Sequence, residues 1–282
     1  MPDNPTLYAY VRGEILPYEQ AFLHVSDLSI QRGYGVFDFL KVEQGQPLFM
    51  EDYLDRFFQS AQLMELEIPL ERAALQEVIF TLIDKNNLPL SGIKMILTGG
   101  YSPDGYQPVS PNLLILQQPV TMPTQEQIQT GFSIITHDYV RDIPAAKTIN
   151  YSVGIKLLSQ VKAQGADDVL YHNGEVVSEF PRANFFIVRQ DNTVVTAAQD
   201  VLKGITRKNV LEIAGRLFKA EEGIVTLQDI GQAKEAFLTS TTKRVMPVVK
   251  IDGRIIGDGT PGPVTLALLE ELLKLENPDA SQ

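Results

Sequence analysis

The stretch Arg141-Asp142-Ile143-Pro144-Ala145-Ala146-Lys147-Thr148-Ile149-Asn150-Tyr151 decides how this chain is read. One lysine sits in a small, mostly apolar window. A segment with helical spacing follows over 151–165. Val153, Leu157, Leu158 and Val161 recur on one face, Asn150 stands as its N-cap and Gly165 as its stop. Burial disfavours the charged form of a lysine and frees its amine as a nucleophile. A Schiff-base lysine needs that property. The plainer alternative is a solvated loop lysine ahead of a capped helix.

Downstream, a strand over 168–171 leads into Asn173-Gly174, a type I′ hairpin signal. Glu179 follows among Val177, Phe180 and Phe185, where a carboxylate is costly unless paired. A cationic ring nitrogen suits it as a partner; a strand end in water is the alternative. Phe185-Phe186-Ile187-Val188 reads as a buried strand. Gly204-Ile205-Thr206-Arg207 opens a helix over 206–219. Free N–H groups and the positive dipole end at such a start bind phosphate, and Gly204 permits close approach of the backbone. The alternative is an ordinary Thr206 N-cap. A strand over 235–239 ends in Thr239-Ser240-Thr241-Thr242, whose hydroxyls and N–H groups suit further phosphate oxygens or a polar turn. A hairpin at Asp252-Gly253, a helix over 263–275 and a frayed tail over 277–282 complete this half.

Upstream, residues 7–16 read as a hairpin around Arg12-Gly13, and Arg32-Gly33-Tyr34-Gly35 precedes a strand over 36–42. A helix over 51–66 carries the apolar stripe Tyr53, Leu54, Phe57, Phe58, Ala61 and Met64. Arg56 interrupts it, as an anion ligand or as the i,i+4 partner of Asp52 on a solvated face. A second helix over 70–87 precedes strands over 93–98 and 113–117. The loop that joins those strands, 99–106, holds two tyrosines, Tyr101 and Tyr106, and is too aromatic for a mere spacer. No periodicity crosses 118–124, which holds Pro119 and Pro123, so two domains are expected, 1–120 and 121–282. The mixture of helices and hairpins points to an α+β fold.

Composition narrows the function. The 282 residues are 44% hydrophobic and 21% charged, which predicts a packed core. A net charge of −11 argues against nucleic acid and anionic membranes as partners. No cysteine is present, which excludes disulfides, a thiolate nucleophile and cysteine-ligated zinc; the three histidines form no spaced metal motif. No apolar run reaches a membrane span, and a soluble cytoplasmic protein is expected.

Together these residues form a list: an amine, a carboxylate for a ring nitrogen, and an anion cradle. In Lys147-Thr148-Ile149-Asn150, Ser178-Glu179 with Ala183-Asn184-Phe185-Phe186, Gly204-Ile205-Thr206-Arg207 and Thr239-Ser240-Thr241-Thr242, the chain resembles the fold-type IV pyridoxal-phosphate enzymes. These are the branched-chain aminotransferases, D-amino-acid aminotransferases and aminodeoxychorismate lyases. The resemblance runs nearly end to end, from Arg32-Gly33-Tyr34-Gly35 to Asp252-Gly253. It implies a small N-terminal α/β domain, a larger C-terminal domain with a barrel-like sheet, pyridoxal 5′-phosphate between them, and a homodimer whose first-domain loops close the neighbour's site. It also implies that Lys147 forms the internal Schiff base and shuttles the proton. Glu179 then holds the ring nitrogen, and Arg56, Ile205, Thr206, Ser240 and Thr241 take the phosphate. Tyr151 reaches the ring's phenolic oxygen.

Subfamily signals are mixed. Where D-amino-acid aminotransferases carry a tyrosine this chain has Phe37, and where they carry an Arg-x-His carboxylate trap it has Asp104-Gly105-Tyr106. Phe37 and Asn150-Tyr151 resemble the branched-chain group. Lys94 falls where that group often places an arginine for a side-chain carboxylate, although the tyrosine two residues earlier is Gly92 here. Phe37, Lys94, Tyr106 and Thr242 are the expected substrate contacts. The implied activity is transfer of an amino group from a branched-chain or other hydrophobic L-amino acid to 2-oxoglutarate. An aminodeoxychorismate lyase using the same lysine is the alternative, and an inactive binding member of the family is a third.

Overall fold

The computed structural model describes residues 7–277, so most of the expected frayed tail lies outside the described residues. Contacts group the chain into two units, Met1–Thr121 with Ala146–Asn150, and Met122–Ala145 with Tyr151–Gln282. The mixture of helix and sheet is the α+β class that the hairpins and amphipathic stretches predict.

The first unit contains β1 (Tyr8–Val11), β2 (Glu14–Pro17), α1 (Leu28–Arg32), β3 (Gly35–Glu43), β4 (Gln46–Pro47), α2 (Met50–Leu63), α3 (Arg72–Asn86), β5 (Leu90–Thr98) and β6 (Asn112–Pro119). Its antiparallel sheet has the order β2-β1-β6-β5-β3-β4. Two hairpins are set by local chemistry. Arg12-Gly13 and Gln44-Gly45 each place two successive residues at positive φ, at 51° and 101°, and at 50° and 76°. That is the I′ pattern, whose twist matches the flanking strands. Strand β3 alternates: Val36, Asp38, Leu40 and Val42 are buried on one face. Helix α2 packs on β3, and its stripe is buried at Tyr53, Leu54, Phe57, Ala61 and Met64.

The second unit contains α4 (Gln125–Thr130), β7 (Phe132–Asp138), α5 (Ser152–Ala163), β8 (Asp168–Asn173), β9 (Val176–Val177), β10 (Glu179–Phe180), β11 (Ala183–Val188), β12 (Thr193–Ala197), α6 (Ile205–Leu217), β13 (Lys219–Gly223), α7 (Leu227–Gln232), β14 (Glu235–Ser240), β15 (Arg244–Ile251), β16 (Arg254–Ile255) and α8 (Pro263–Glu276). Its sheet runs β13-β12-β11-β14-β15-β7-β8-β9, with β10 on β11 and β16 on β15. The sheet curls as a half-barrel. It mixes antiparallel pairs with three parallel ones, β12 with β13, β15 with β7 and β7 with β8. Both faces are covered, which is why β11 reads as an unbroken apolar run. Phe185 and Ile187 join Leu170, Phe180 and Leu238 on one side. Phe186 and Val188 join Phe237 and the α6 and α8 residues Val210, Ile213, Leu268 and Leu272 on the other.

Three local expectations need correction. The turn after β8 is Gly174-Glu175, because Asn173 pairs with Val176; only Gly174 has positive φ, so the signature is II′ rather than I′. Helix α5 is capped by Tyr151 without a side-chain bond, not by Asn150. On α5, Leu157 and Val161 pack with Ile135, Val169 and Tyr171, whereas Leu158 is exposed.

A buried carboxylate anchors the last helix. Glu235 accepts hydrogen bonds from the N–H groups of Val264 (3.1 Å) and Thr265 (2.7 Å) and from the Thr265 hydroxyl (2.7 Å). It therefore satisfies donors at the start of α8 and opposes the helix dipole there. Glu235→Ala leaves those buried donors without an acceptor and is expected to cost about 2–4 kcal/mol. Urea unfolding with an unchanged m-value checks it; a loss below about 0.5 kcal/mol would show that the cap is replaceable.

Candidate active site

In the first unit, Lys147 lies on a segment that adds to the free edge of β3. The Phe37 N–H donates to the Lys147 carbonyl (2.9 Å), the Ile149 N–H donates to the Gly35 carbonyl (3.1 Å), and Thr148 bridges Val36 antiparallel. From the other side the Ser60 hydroxyl of α2 accepts the Lys147 N–H at 3.1 Å. Main-chain bonds thus fix the lysine's backbone, and its partly buried side chain is not that of a solvated loop. The ammonium stands 4.7 Å from the centroid of the Phe37 ring.

The same sheet face carries a second cation. Phe39 pairs with Lys94, and Phe37 with Ile96, so these four side chains share a face. Lys94 Nζ stands 5.1 Å from the Phe37 centroid, and burial holds its pKa below the ordinary lysine value. Lys41, also on this face and almost fully buried, is paired with Glu43 at 3.1 Å. The Phe39 ring lies over Gly92; a Cβ there would be 1.9 Å from the ring, so glycine at 92 and phenylalanine at 39 are one fit.

Arg56 is buried, contrary to the alternative of a solvated face shared with Asp52. Its Nε and Nη2 form a two-point pair with Asp38 at 2.9 and 2.6 Å. Ser60, four residues on, shares its helix face. The apolar stripe of α2 therefore carries two polar positions, one holding Asp38 and one holding the Lys147 backbone.

In the second unit, Glu179 is buried, not a strand end in water. Its Oε1 accepts from Arg141 Nε at 3.1 Å. Its Oε2 accepts from the Leu202 N–H at 3.0 Å and from Asn184 Nδ2 at 3.4 Å. Asn184 also donates to the Leu202 carbonyl at 2.8 Å. Its Oδ1 presses on Gly204, where an added Cβ would stand 2.2 Å away; this contact, rather than backbone φ, demands glycine. Helix α6 then begins at Ile205. Its N-cap is Gly204 and not Thr206, and no side chain caps it. Ile205 and Thr206 are buried at that uncapped positive end. Cross-strand from Asn184, the buried Thr239 hydroxyl has no hydrogen-bond partner among the described residues.

The remaining expected residues stand at a strand end, a turn, a helix start and a loop. Ser240 ends β14, and its hydroxyl accepts the Lys243 N–H at 3.1 Å, a turn role. Thr241 and Thr242 follow in that turn, partly buried, and Tyr151 is partly buried at the head of α5. Tyr106 is 81% exposed. Asp104 faces its own loop: its Oδ1 accepts from the Ser102 hydroxyl and from the N–H groups of Tyr106 and Gln107. The Gln107 and Tyr106 bonds lead in holding its pKa below the usual carboxylate value. Sequence reasoning missed Asp38, Ser60, Arg141 and Leu202. Asp38 had a signal, a charge at a core-facing position of an apolar strand, and so had Ser60, four residues after Arg56.

Comparisons with known proteins agree on what this frame is. The amino-transferase class IV family model matches residues 35–251. Branched-chain-amino-acid aminotransferase-like protein 1 of Arabidopsis thaliana is 32% identical over 289 residues, covering 98% of this chain and 52% of that protein. The chain spans about half the length of that relative and of its second Arabidopsis counterpart. D-alanine aminotransferase of Bacillus licheniformis is 30% identical over 262 residues, 90% of this chain and 91% of that protein. Among solved structures, the T.th. branched-chain amino acid aminotransferase with pyridoxamine 5′-phosphate matches with a TM-score of 0.90 at 25% identity, over 98% of this chain and 96% of that one. With the family model covering most of the chain and relatives matching beyond it, the protein belongs to the class IV aminotransferases.

Proposed function

We propose that this enzyme moves the amino group of a branched-chain or other hydrophobic L-amino acid to 2-oxoglutarate. The observation that carries the reading is Lys94. It is a half-buried cation beside Phe37, the ring that also meets the Lys147 ammonium, and no carboxylate among the described residues pairs with it. A desolvated cation of this kind suits the distal carboxylate of a dicarboxylic 2-oxo acid.

Class IV aminotransferases use pyridoxal 5′-phosphate. That group supplies a carbonyl for the incoming amine and a sink for the electron pair left at Cα. The chain fits it: Glu179 is a buried carboxylate suited to a cationic ring nitrogen, and the uncapped start of α6 is suited to a phosphate. In this reading Lys147 moves the proton at Cα, and Tyr151 hydrogen-bonds the ring oxygen. The N–H groups of Ile205 and Thr206, with Ser240, Thr241 and Arg56, hold the phosphate; Arg56 does so with its charge already shared with Asp38. Phe37 and Thr242 bound the substrate. Tyr106 acts across a homodimer, which the exposed Phe22, Val25 and Ile30 near its loop support. The reading includes a cytoplasmic location; among the described residues no helix is long and apolar enough to cross a membrane.

Lys94→Met tests the acceptor. Loss of a charged hydrogen bond, roughly 1.5–3 kcal/mol, should raise KM for 2-oxoglutarate about 10- to 100-fold and leave pyruvate nearly unaffected. The cation is the binding form, and its pKa lies below the ordinary lysine value. KM for 2-oxoglutarate should therefore rise as pH climbs through that lowered pKa, a limb absent from the variant. Equal effects on both acceptors would remove Lys94 from the role. Paired L and D donors test the hand of the substrate. A higher kcat/KM for D-alanine than for every L-amino acid would move the enzyme to the D-specific group, which the Bacillus licheniformis relative represents. Release of pyruvate from aminodeoxychorismate without amino transfer would move it to the lyases.

A further inference from the structure

We propose that Arg141 is a positioning residue that keeps Glu179 ionised and ties it to the loop leading into Lys147. The inference rests on the reading that Glu179 holds the cofactor's ring nitrogen. The Glu179 side chain is 6% exposed and that of Arg141 11%. A carboxylate so buried needs a compensating charge as well as hydrogen bonds. Two of its described donors, the Leu202 N–H and the Asn184 amide, are neutral. Arg141 supplies the positive charge, with Nε at 3.1 Å from Oε1.

The guanidinium acts in a second direction. Its Nη2 donates to the Pro144 carbonyl at 2.6 Å and stands 3.5 Å from the Ile143 carbonyl. Pro144 precedes Lys147 by three residues. One rigid, planar group thus fixes both the carboxylate and the approach to the lysine, a task that a lysine's single ammonium cannot share out in the same geometry. Ionisable groups near the pair include Tyr139, just past the end of β7, with Asp142 beside it, and Asp168 and Tyr171 of β8. Burial first, then Tyr139, Asp168 and Glu179, push the Tyr171 phenol up, and Arg141 opposes them. Tyr171 is therefore neutral at working pH, and Arg141 faces Glu179 as a cation at hydrogen-bond distance.

The test uses the cofactor-loaded full chain with Arg141→Met, Arg141→Lys, Glu179→Gln and the double variant Arg141→Met/Glu179→Gln. The readouts are the pH dependence of the bound cofactor's absorption band, the cofactor dissociation constant, and the melting of the cofactor-free protein. Removing a cation beside a carboxylate raises its pKa, so Arg141→Met should move the spectral midpoint associated with Glu179 up by about 1 unit or more and weaken cofactor binding about 10-fold. Arg141→Lys keeps the charge and loses the fork; its midpoint should stay near wild type while the dissociation constant rises. With Glu179→Gln in place, adding Arg141→Met should move the spectrum no further. An unchanged midpoint and affinity in Arg141→Met would overturn the proposal. If that variant does not fold, Arg141→Lys decides alone: an unchanged dissociation constant overturns it. An unchanged spectrum in Glu179→Gln itself would instead overturn the reading on which the proposal rests.

Discussion

Lys147→Ala is expected to abolish turnover, by at least about 10⁴-fold, while the protein still folds. The structure separates these two outcomes. The backbone of residue 147 is held through its own main-chain groups: its carbonyl accepts from the Phe37 N–H, its N–H donates to the Ser60 hydroxyl, and its neighbours Thr148 and Ile149 complete the pairing with β3. Alanine keeps all of these. The side chain's contact with the Phe37 ring is worth about 0.5–1 kcal/mol. On the proposed function, what is lost is the amine that would serve as the point of attachment and as the proton carrier. The second role alone contributes about 10²- to 10⁴-fold in comparable enzymes. Borohydride reduction of the loaded wild-type protein should leave the cofactor on residue 147, and the variant should lose that attachment but regain slow turnover with added small amines. A reduced cofactor mapped to another lysine would remove Lys147 from the chemistry.

Features fixed by one or two residues are legible in the sequence. Arg12-Gly13 and Asp252-Gly253 each put two residues at positive φ and closed the hairpins expected of them. The α2 stripe followed from helical period. Features that depend on distant partners are not. The parallel pairs of β7 with β8 and β15 join segments far apart in sequence and have no local signature. Helices α1, α4 and α7 span five or six residues, too few to establish a period. The Asn173-Gly174 dipeptide carried the right signal one residue out of register, because pairing of Asn173 with Val176 moved the turn onto Gly174-Glu175. The candidate site shows the same division. Residue types pointed to Lys147, Glu179 and Gly204, but not to why Gly204 is glycine, which is the amide of Asn184 pressed against it. For Arg56 the sequence admits an anion ligand or a surface pair with Asp52; the buried pair with Asp38 depends on how β3 and α2 meet.

Glu179→Gln is expected to slow removal of the Cα proton about 10²- to 10³-fold while KM changes only a few-fold. A carboxylate beside the ring nitrogen favours the protonated ring and so stabilises negative charge that appears only as the proton leaves. A contribution confined to the transition state lowers kcat and leaves ground-state binding nearly untouched. The substitution also has a structural cost that must be separated from this one. Both carboxylate oxygens accept hydrogen bonds, Oε1 from Arg141 and Oε2 from Leu202 and Asn184. Glutamine offers one oxygen and one NH₂, so one side of this arrangement becomes a donor facing a donor. That conflict should cost about 1–3 kcal/mol of stability. Melting of the cofactor-free variant measures it directly. Single-turnover rates with a saturating amino donor then isolate the chemical step from affinity and from the folded fraction. Glu179→Asp keeps the charge on a shorter arm, so it should recover part of the rate even where its stability is no better than that of the glutamine variant. Proton removal in Glu179→Gln within about 3-fold of wild type would mean that the carboxylate serves only to hold Arg141 and the Leu202 loop, and the ring-nitrogen role would fall.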